Sequence, residues 1–330
     1  MASTDAADGG GGAALEIDWA TLRFSSFLVC LEYADFNNVG AFGGLERAPL
    51  SPKDSKDTKI KAEYESNTVY LSKLALGFPK AEVLQYLTNK KSLNCAVGKN
   101  YATKQVVVVF RGSKEPKDWV QDLWIFKTQK DVYHDSGHGK VHGGFYDQLH
   151  ELDEKASGKT SYQVLEDLLD KELCEGWSVL VTGHSLGASL STLASYELAL
   201  KFPKHQFLVC AFASTKCGDA AFKEAYDALP NVRQYRICYG RDIVPGFPFG
   251  FGYCHVGDTL LYDKDAKPLG QWHYYPKAAD DPDYYPGYCT IDPGDHDAKN
   301  YVDAVEQGLA NKDATKFHSA HEPESGRELM

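Results

Sequence analysis

Acyl transfer needs three kinds of side chain, and this chain offers them at Ser185, Asp242 and His296. A serine hydroxyl is a poor nucleophile at neutral pH, so an imidazole must take its proton and a carboxylate must orient the imidazole. Ser185 stands at the centre of Gly183-His184-Ser185-Leu186-Gly187. A G-x-S-x-G match is weak by itself in a chain with 29 glycines, and its bland reading is a serine that caps a helix. Asp242 lies in Tyr239-Gly240-Arg241-Asp242-Ile243-Val244-Pro245, just past an apolar run ending near Cys238; the alternative there is an ordinary surface-loop aspartate. Five histidines follow: His255, His273, His296, His318 and His321. The last two fall in a stretch without apolar pattern, and His255 follows an aromatic segment that reads as a packed strand. His296, in Asp292-Pro293-Gly294-Asp295-His296 directly before a helix, is placed to reach a neighbouring loop. The oxyanion of such a reaction needs backbone donors. Leu186, next after the nucleophile, offers one N–H. Ser113 offers the other, where Gly112 lets the backbone approach closely after Val106–Phe110; its alternative is a plain strand-end turn.

The elements that must hold these groups follow from periodicity. Val179 to Thr182 is a β-branched, apolar run that suits a strand buried on both faces, and Leu186, Leu190, Leu193 and Ala194 continue at helical spacing. Strand, sharp turn and helix together give the serine motif its meaning. A side chain at either glycine of the turn would collide with the adjacent strand or helix, and Ser185 is expected in a strained backbone conformation.

The same reading predicts strands at Cys95–Val97, Lys104–Phe110, Phe207–Phe212 and Arg233–Cys238. Helices are expected over Asp18–Phe36, with Asp18 as cap, and around Ala81–Thr88. Further helices are expected over Phe145–Leu152, Ser161–Leu173, Asp219–Ala228 and Asp297–Leu309. Alternating strands and helices imply parallel β-α-β units around a mostly parallel sheet. The expected organisation is a flexible N-terminal tail (1–17), a single domain (18–310) and a C-terminal tail (311–330).

Whole-chain properties exclude several classes. The 330 residues are 43% hydrophobic, ample for a core, and no run of 18 apolar residues exists to span a bilayer. A net charge of −11 argues against nucleic-acid partners and against attraction to anionic membranes. The eight cysteines are dispersed and form no C-x-x-C pair. With an acidic, small-residue start that lacks the pattern of a secretory signal, they lead to the expectation of reduced thiols and a cytoplasmic setting, with secretion after removal of a leader as the alternative.

No cofactor or metal is expected. His134, His138 and His142 have the spacing of helical metal ligands, but Ser136, Gly137 and Gly139 argue against a helix there. The acidic stretch from Asp280 to Asp295 fits no EF-hand spacing. Ser113 to about Phe126, with Trp119, Val120, Leu123, Trp124 and Phe126, could cover an acyl groove or pack permanently in the core.

Several blocks in order resemble the class 3, fungal-type triacylglycerol lipases, a branch of the α/β-hydrolases. VVVVFRGS followed by DWVQDL is similar to the family's oxyanion strand and lid start, with Asp118 where Asn is common. Val141-His142-Gly143-Gly144-Phe145 resembles its V-H-x-G-F segment, VTGHSLGASLSTLA its nucleophile block, and RDIVP the block carrying the acid. Tyr253-Cys254-His255-Val256-Gly257 resembles a strand in which His255 is structural, and Asp295-His296 with Tyr301 resembles the block with the base. Ala213-Ser214-Thr215-Lys216-Cys217-Gly218 departs from the family's G-x-P-R-x-G.

The resemblance implies an α/β-hydrolase fold and a Ser185–Asp242–His296 triad, with Ser113 and Leu186 as oxyanion donors. It also implies an acyl-ester lipid substrate met at a lipid–water interface. An esterase, a phospholipase, or a non-catalytic scaffold of the same fold are the alternatives.

Overall fold

The computed structural model describes residues 17–33, 81–112, 129–133, 137–248, 252–267, 270–277, 292–311 and 315–317. In chain order the elements are α1 (Trp19–Tyr33), β1 (Ala81–Thr88), β2 (Asn94–Asn100), β3 (Gln105–Phe110), β4 (Gln129–Lys130) and β5 (Val141–His142). Next come α2 (Gly143–Leu149), α3 (Ser161–Glu172), β6 (Ser178–His184), α4 (Leu186–Lys201), β7 (Phe207–Phe212) and α5 (Ala220–Asp227). The chain continues with β8 (Val232–Tyr239), β9 (Asp258–Asp263), β10 (Gln271–Tyr275), α6 (Ala298–Ala310) and β11 (Lys316–Phe317). Short 3-10 turns at Val244–Gly246 and Pro293–His296 precede β9 and α6.

Nine strands form one sheet in the order β1-β2-β3-β6-β7-β8-β9-β10-β11. From β3 through β9 every neighbour is parallel, joined by crossover connections, and antiparallel strands flank this block. The arrangement is an α/β-hydrolase fold.

The two faces separate along the pleat. In β3, Val107 and Val109 join the core under α1 and α6, while Val106 and Val108 join the core under α2, α3 and α4. All four valines have no exposed surface, because both faces are covered. That explains the unbroken apolar runs of β3 and β6, where a one-sided strand would alternate. Asp18 caps α1 as expected, accepting the N–H of Thr21 at 3.0 Å, and the helix packs beside α6, with Trp19 edge-on to Trp272 of β10 at 5.3 Å.

Two features differ from the sequence reading. Ala81–Thr88 is a strand, not a helix. Its Leu, Gln and Ala favour helix locally, but β2 presents an unpaired edge, and antiparallel pairing from Ala81↔Asn100 to Thr88↔Asn94 outweighs that preference. A register shift between Val83 and Gln85 breaks strict alternation, which removes the signal a strand would show. Lys316–Phe317 pairs parallel with β10, although nothing beyond Asn311 carries a core pattern. Two residues are too few to show a period. The N-terminal sixteen residues, residues 34–80 and residues 318–330 lie outside the described residues. No helix among the described residues is long and apolar enough to cross a membrane.

Candidate active site

The end of β6 and the start of α4 almost touch β3. A Cβ on Gly187 would come within 2.2 Å of the Phe110 carbonyl oxygen, and one on Gly183 within 2.4 Å of the Gly187 carbonyl carbon. Only hydrogen fits at either position. The chain therefore reverses at Ser185 with φ 59° and ψ −125°, a region rarely occupied by a residue with a side chain. The Ser185 amide is held to β7 by the Phe212 carbonyl at 2.9 Å.

That strain decides between the two readings of the serine. Among the described residues, α1, α2, α3, α5 and α6 are all capped by a side chain: Asp18, His142, Thr160, Asp219 and Asp297. Ser185 stands at the N-cap of α4 and makes no capping bond. Its hydroxyl instead meets His296 Nε2 at 3.0 Å. His296 Nδ1 meets Asp242 Oδ2 at 2.8 Å. Residues from three separate loops, each past the C-terminal end of a strand or before a helix, thus form one hydrogen-bonded chain.

The carboxylate is fully enclosed. The Asp242 side chain is 1% exposed, and besides the imidazole it receives the Val244 N–H on Oδ1 at 2.9 Å and the Tyr301 hydroxyl on Oδ2 at 2.6 Å. Tyr301 stands on α6, five residues past His296, and has no exposed surface. The sequence reading placed Tyr301 in the base's block without giving it a task. The spacing alone did not show that its hydroxyl would reach back to the acid. Hydrogen bonds to a charged group typically contribute about 1.5–3 kcal/mol, so Tyr301→Phe is expected to lower kcat on the order of 10-fold with the fold intact. Steady-state hydrolysis alongside thermal melting checks this.

His184 lies beside the base, its ring 4.6 Å from that of His296. Burial pushes its imidazole well below the ordinary range, and the neighbouring His296 adds to the effect. His184 is therefore neutral at pH 7, and no second cation opposes the imidazolium that proton transfer creates at His296. His255 is also held neutral by burial, and the nearby Arg236 and Lys216 reinforce this. It is buried in the bridge region next to Cys254, which pairs with Gly218, so its expected structural part fits.

Leu186 is the first residue of α4, so no earlier turn of the helix supplies an acceptor for its N–H. Gly187 packs against Phe110 and Arg111, so the start of α4 lies beside the segment leading into Gly112. Ser113 and the candidate lid to Phe126 lie outside the described residues, as does His134. His142 caps α2 through Nδ1, His138 meets the Tyr196 hydroxyl, and among the described residues no group of ligating side chains fits a metal. The segment that departs from the family pattern after β7 is tied to α4 by Ser189 and Thr215, whose hydroxyls are 2.7 Å apart. Ala213 takes φ 53°, a conformation that favours glycine, so the substitution is borne as backbone strain.

Burial of His142 has a consequence for stability. Its imidazole is pushed down to about 4 from 6.5 by desolvation. Between those values the unfolded chain binds a proton that the folded chain does not, so stability falls as pH drops from 6.5 and levels off below about 4. His142→Asn keeps a capping acceptor and removes the titration. Its unfolding free energy is expected to decline less steeply between pH 7 and 4, as denaturant titrations at several pH values would show.

The lipase (class 3) family model matches residues 107–251. Over those residues the chain is similar to the class 3 lipases. The matched region contains Ser113, Ser185, Leu186 and Asp242, while His296 lies beyond it and is brought in by the fold. Curated relatives include phospholipase A1-II 4 of Oryza sativa subsp. japonica, 32% identical over 181 residues, covering 50% of this chain and 45% of that protein. Phospholipase A1-IIgamma of Arabidopsis thaliana is 31% identical over 188 residues, covering 50% and 43%. The chain thus spans less than half the length of either. Among solved structures, a fungal lipase–inhibitor complex aligns with TM-score 0.59 at 20% identity, covering 84% of this chain and 92% of that one. A triacylglycerol lipase whose catalytic centre is formed by a serine protease triad aligns with TM-score 0.58 at 19% identity, covering 86% and 95%. At such identities the likeness to these structures shows the fold alone.

Proposed function

We propose that the protein is a serine carboxylic-ester hydrolase acting on acyl lipids, with Ser185 as nucleophile, His296 as general base and acid, and Asp242 as orienting carboxylate. The observation that carries this is the unbroken chain from Ser185 Oγ to His296 at 3.0 Å and on to Asp242 at 2.8 Å. In the first step Ser185 Oγ attacks the ester carbonyl while its proton moves to His296 Nε2. The tetrahedral oxyanion is held by the N–H groups of Leu186 and Ser113. Collapse breaks the bond to the alcohol, which leaves with the proton from His296. Water then repeats the sequence on the acyl-enzyme and releases the fatty acid.

Acylglycerols are the substrate class proposed first. Phospholipids are the second, favoured by the sequence relatives, which are phospholipases A1. Fatty-acid release from triacylglycerol, monoacylglycerol and phosphatidylcholine, assayed side by side over a chain-length series, separates the two. Faster turnover of the acylglycerols supports the first, and a preference for phosphatidylcholine replaces it with the second. Absence of release from all three, with no hydrolysis of short p-nitrophenyl esters, would leave a binding scaffold.

A further inference from the structure

Asp242 and His296 reach each other from two different loops, so their separation depends on what fixes one loop against the other. A long backbone bond from the Asp292 N–H to the Arg241 carbonyl, 3.5 Å, links them, and a buried carboxylate supplies the shorter tie. Asp295, immediately before His296, is buried with its side chain 5% exposed. Its Oδ2 accepts the backbone N–H of Arg241, immediately before Asp242, at 2.7 Å. The positions preceding base and acid are thereby joined directly. A Cβ on Gly240 would lie 2.5 Å from the same Oδ2, so the acid loop is shaped to receive this carboxylate.

A buried carboxylate with one backbone donor is poorly compensated, and a cation completes it. Lys264, just past β9, places Nζ 2.5 Å from Asp295 Oδ1 and 3.1 Å from Asp292 Oδ2. Asp292 caps the 3-10 turn that carries His296, accepting the Gly294 N–H at 2.9 Å. The lysine therefore holds both ends of the base's turn, and Asp295 passes that constraint to the acid's loop. We propose that Asp295 and Lys264 are positioning residues that set the Asp242–His296 geometry for the hydrolase reaction, an inference that rests on the function proposed above. Neither residue needs to touch substrate. Their loss acts on the chemical step and leaves substrate binding alone.

The test compares Asp295→Ala, Lys264→Met and Lys264→Arg with the parent protein. It uses kcat and KM on a p-nitrophenyl ester, the rate of fluorophosphonate labelling, and thermal melting to establish folding. Misplacement of a catalytic group by about 1 Å can cost on the order of 100-fold. Asp295→Ala and Lys264→Met are expected to lose about 10- to 100-fold in kcat and in labelling rate with KM unchanged. Lys264→Arg, which keeps the cation, is expected to recover most of the loss. If Asp295→Ala does not fold, Lys264→Met, at a partly exposed position, carries the test. Folded variants with the parent's kcat and labelling rate would overturn the clamp alone, as would a change confined to KM. A parent protein that neither hydrolyses nor labels would overturn the hydrolase reading and the clamp with it.

Discussion

Ser185→Ala is expected to melt at nearly the parent temperature and to lose hydrolysis of p-nitrophenyl esters by roughly 10⁴–10⁶-fold, as removal of a triad serine does elsewhere. The two halves of that expectation have separate causes. The hydroxyl makes no capping bond to α4, and alanine suffers the φ of 59° no more than serine does, so the folded state loses one exchangeable contact with His296. The reaction loses the atom that forms the acyl-enzyme. What remains is binding and the backbone donors, which alone retain about 10³–10⁴-fold over water in comparable sites. Equal activity in Ser185→Ala would remove the nucleophile from the account.

Asp242→Asn comes next in size, with an expected loss of about 10⁴-fold in kcat. The carboxylate accepts on both oxygens, from His296 and Tyr301 on Oδ2 and from Val244 on Oδ1. An amide has one accepting oxygen and, in place of the other, an NH₂ that only donates. If its oxygen faces Val244, its NH₂ faces the imidazole, which must then accept at Nδ1 and carry its proton on Nε2. In that tautomer Nε2 donates to the serine and cannot take its proton. If the amide turns the other way, its NH₂ opposes the Val244 N–H in a buried site, and the loop is destabilised. Rates near neutral pH together with melting temperatures distinguish the two: a large rate loss with a modest melting change indicates the tautomer. Near-parent kcat would show that the acid does not orient the base.

Much of the scaffold was legible because its strands are covered on both faces. Val106–Phe110 and Val179–Thr182 could be assigned from composition, and the motif at Ser185 took its meaning from the strand before it and the helix after it. Asp242 and His296 could be chosen by position past a strand and before a helix, and the structure brings both to Ser185. Edge and tertiary effects were hidden. Ala81–Thr88 is a strand because β2 needs a partner, which no local window contains. Tyr301 reaches Asp242, and Asp295 reaches Arg241, through loop closures separated by more than fifty positions. Spacing along one element cannot reveal such contacts, since they depend on where a different element ends.

The most direct measurement is mass-spectrometric mapping of a fluorophosphonate adduct on the full chain, run in parallel on His296→Ala. The account predicts one adduct per protein, located on Ser185, and labelling of the His296→Ala protein slowed by orders of magnitude. An adduct on a different residue, no adduct at all, or equal labelling without the imidazole would contradict it.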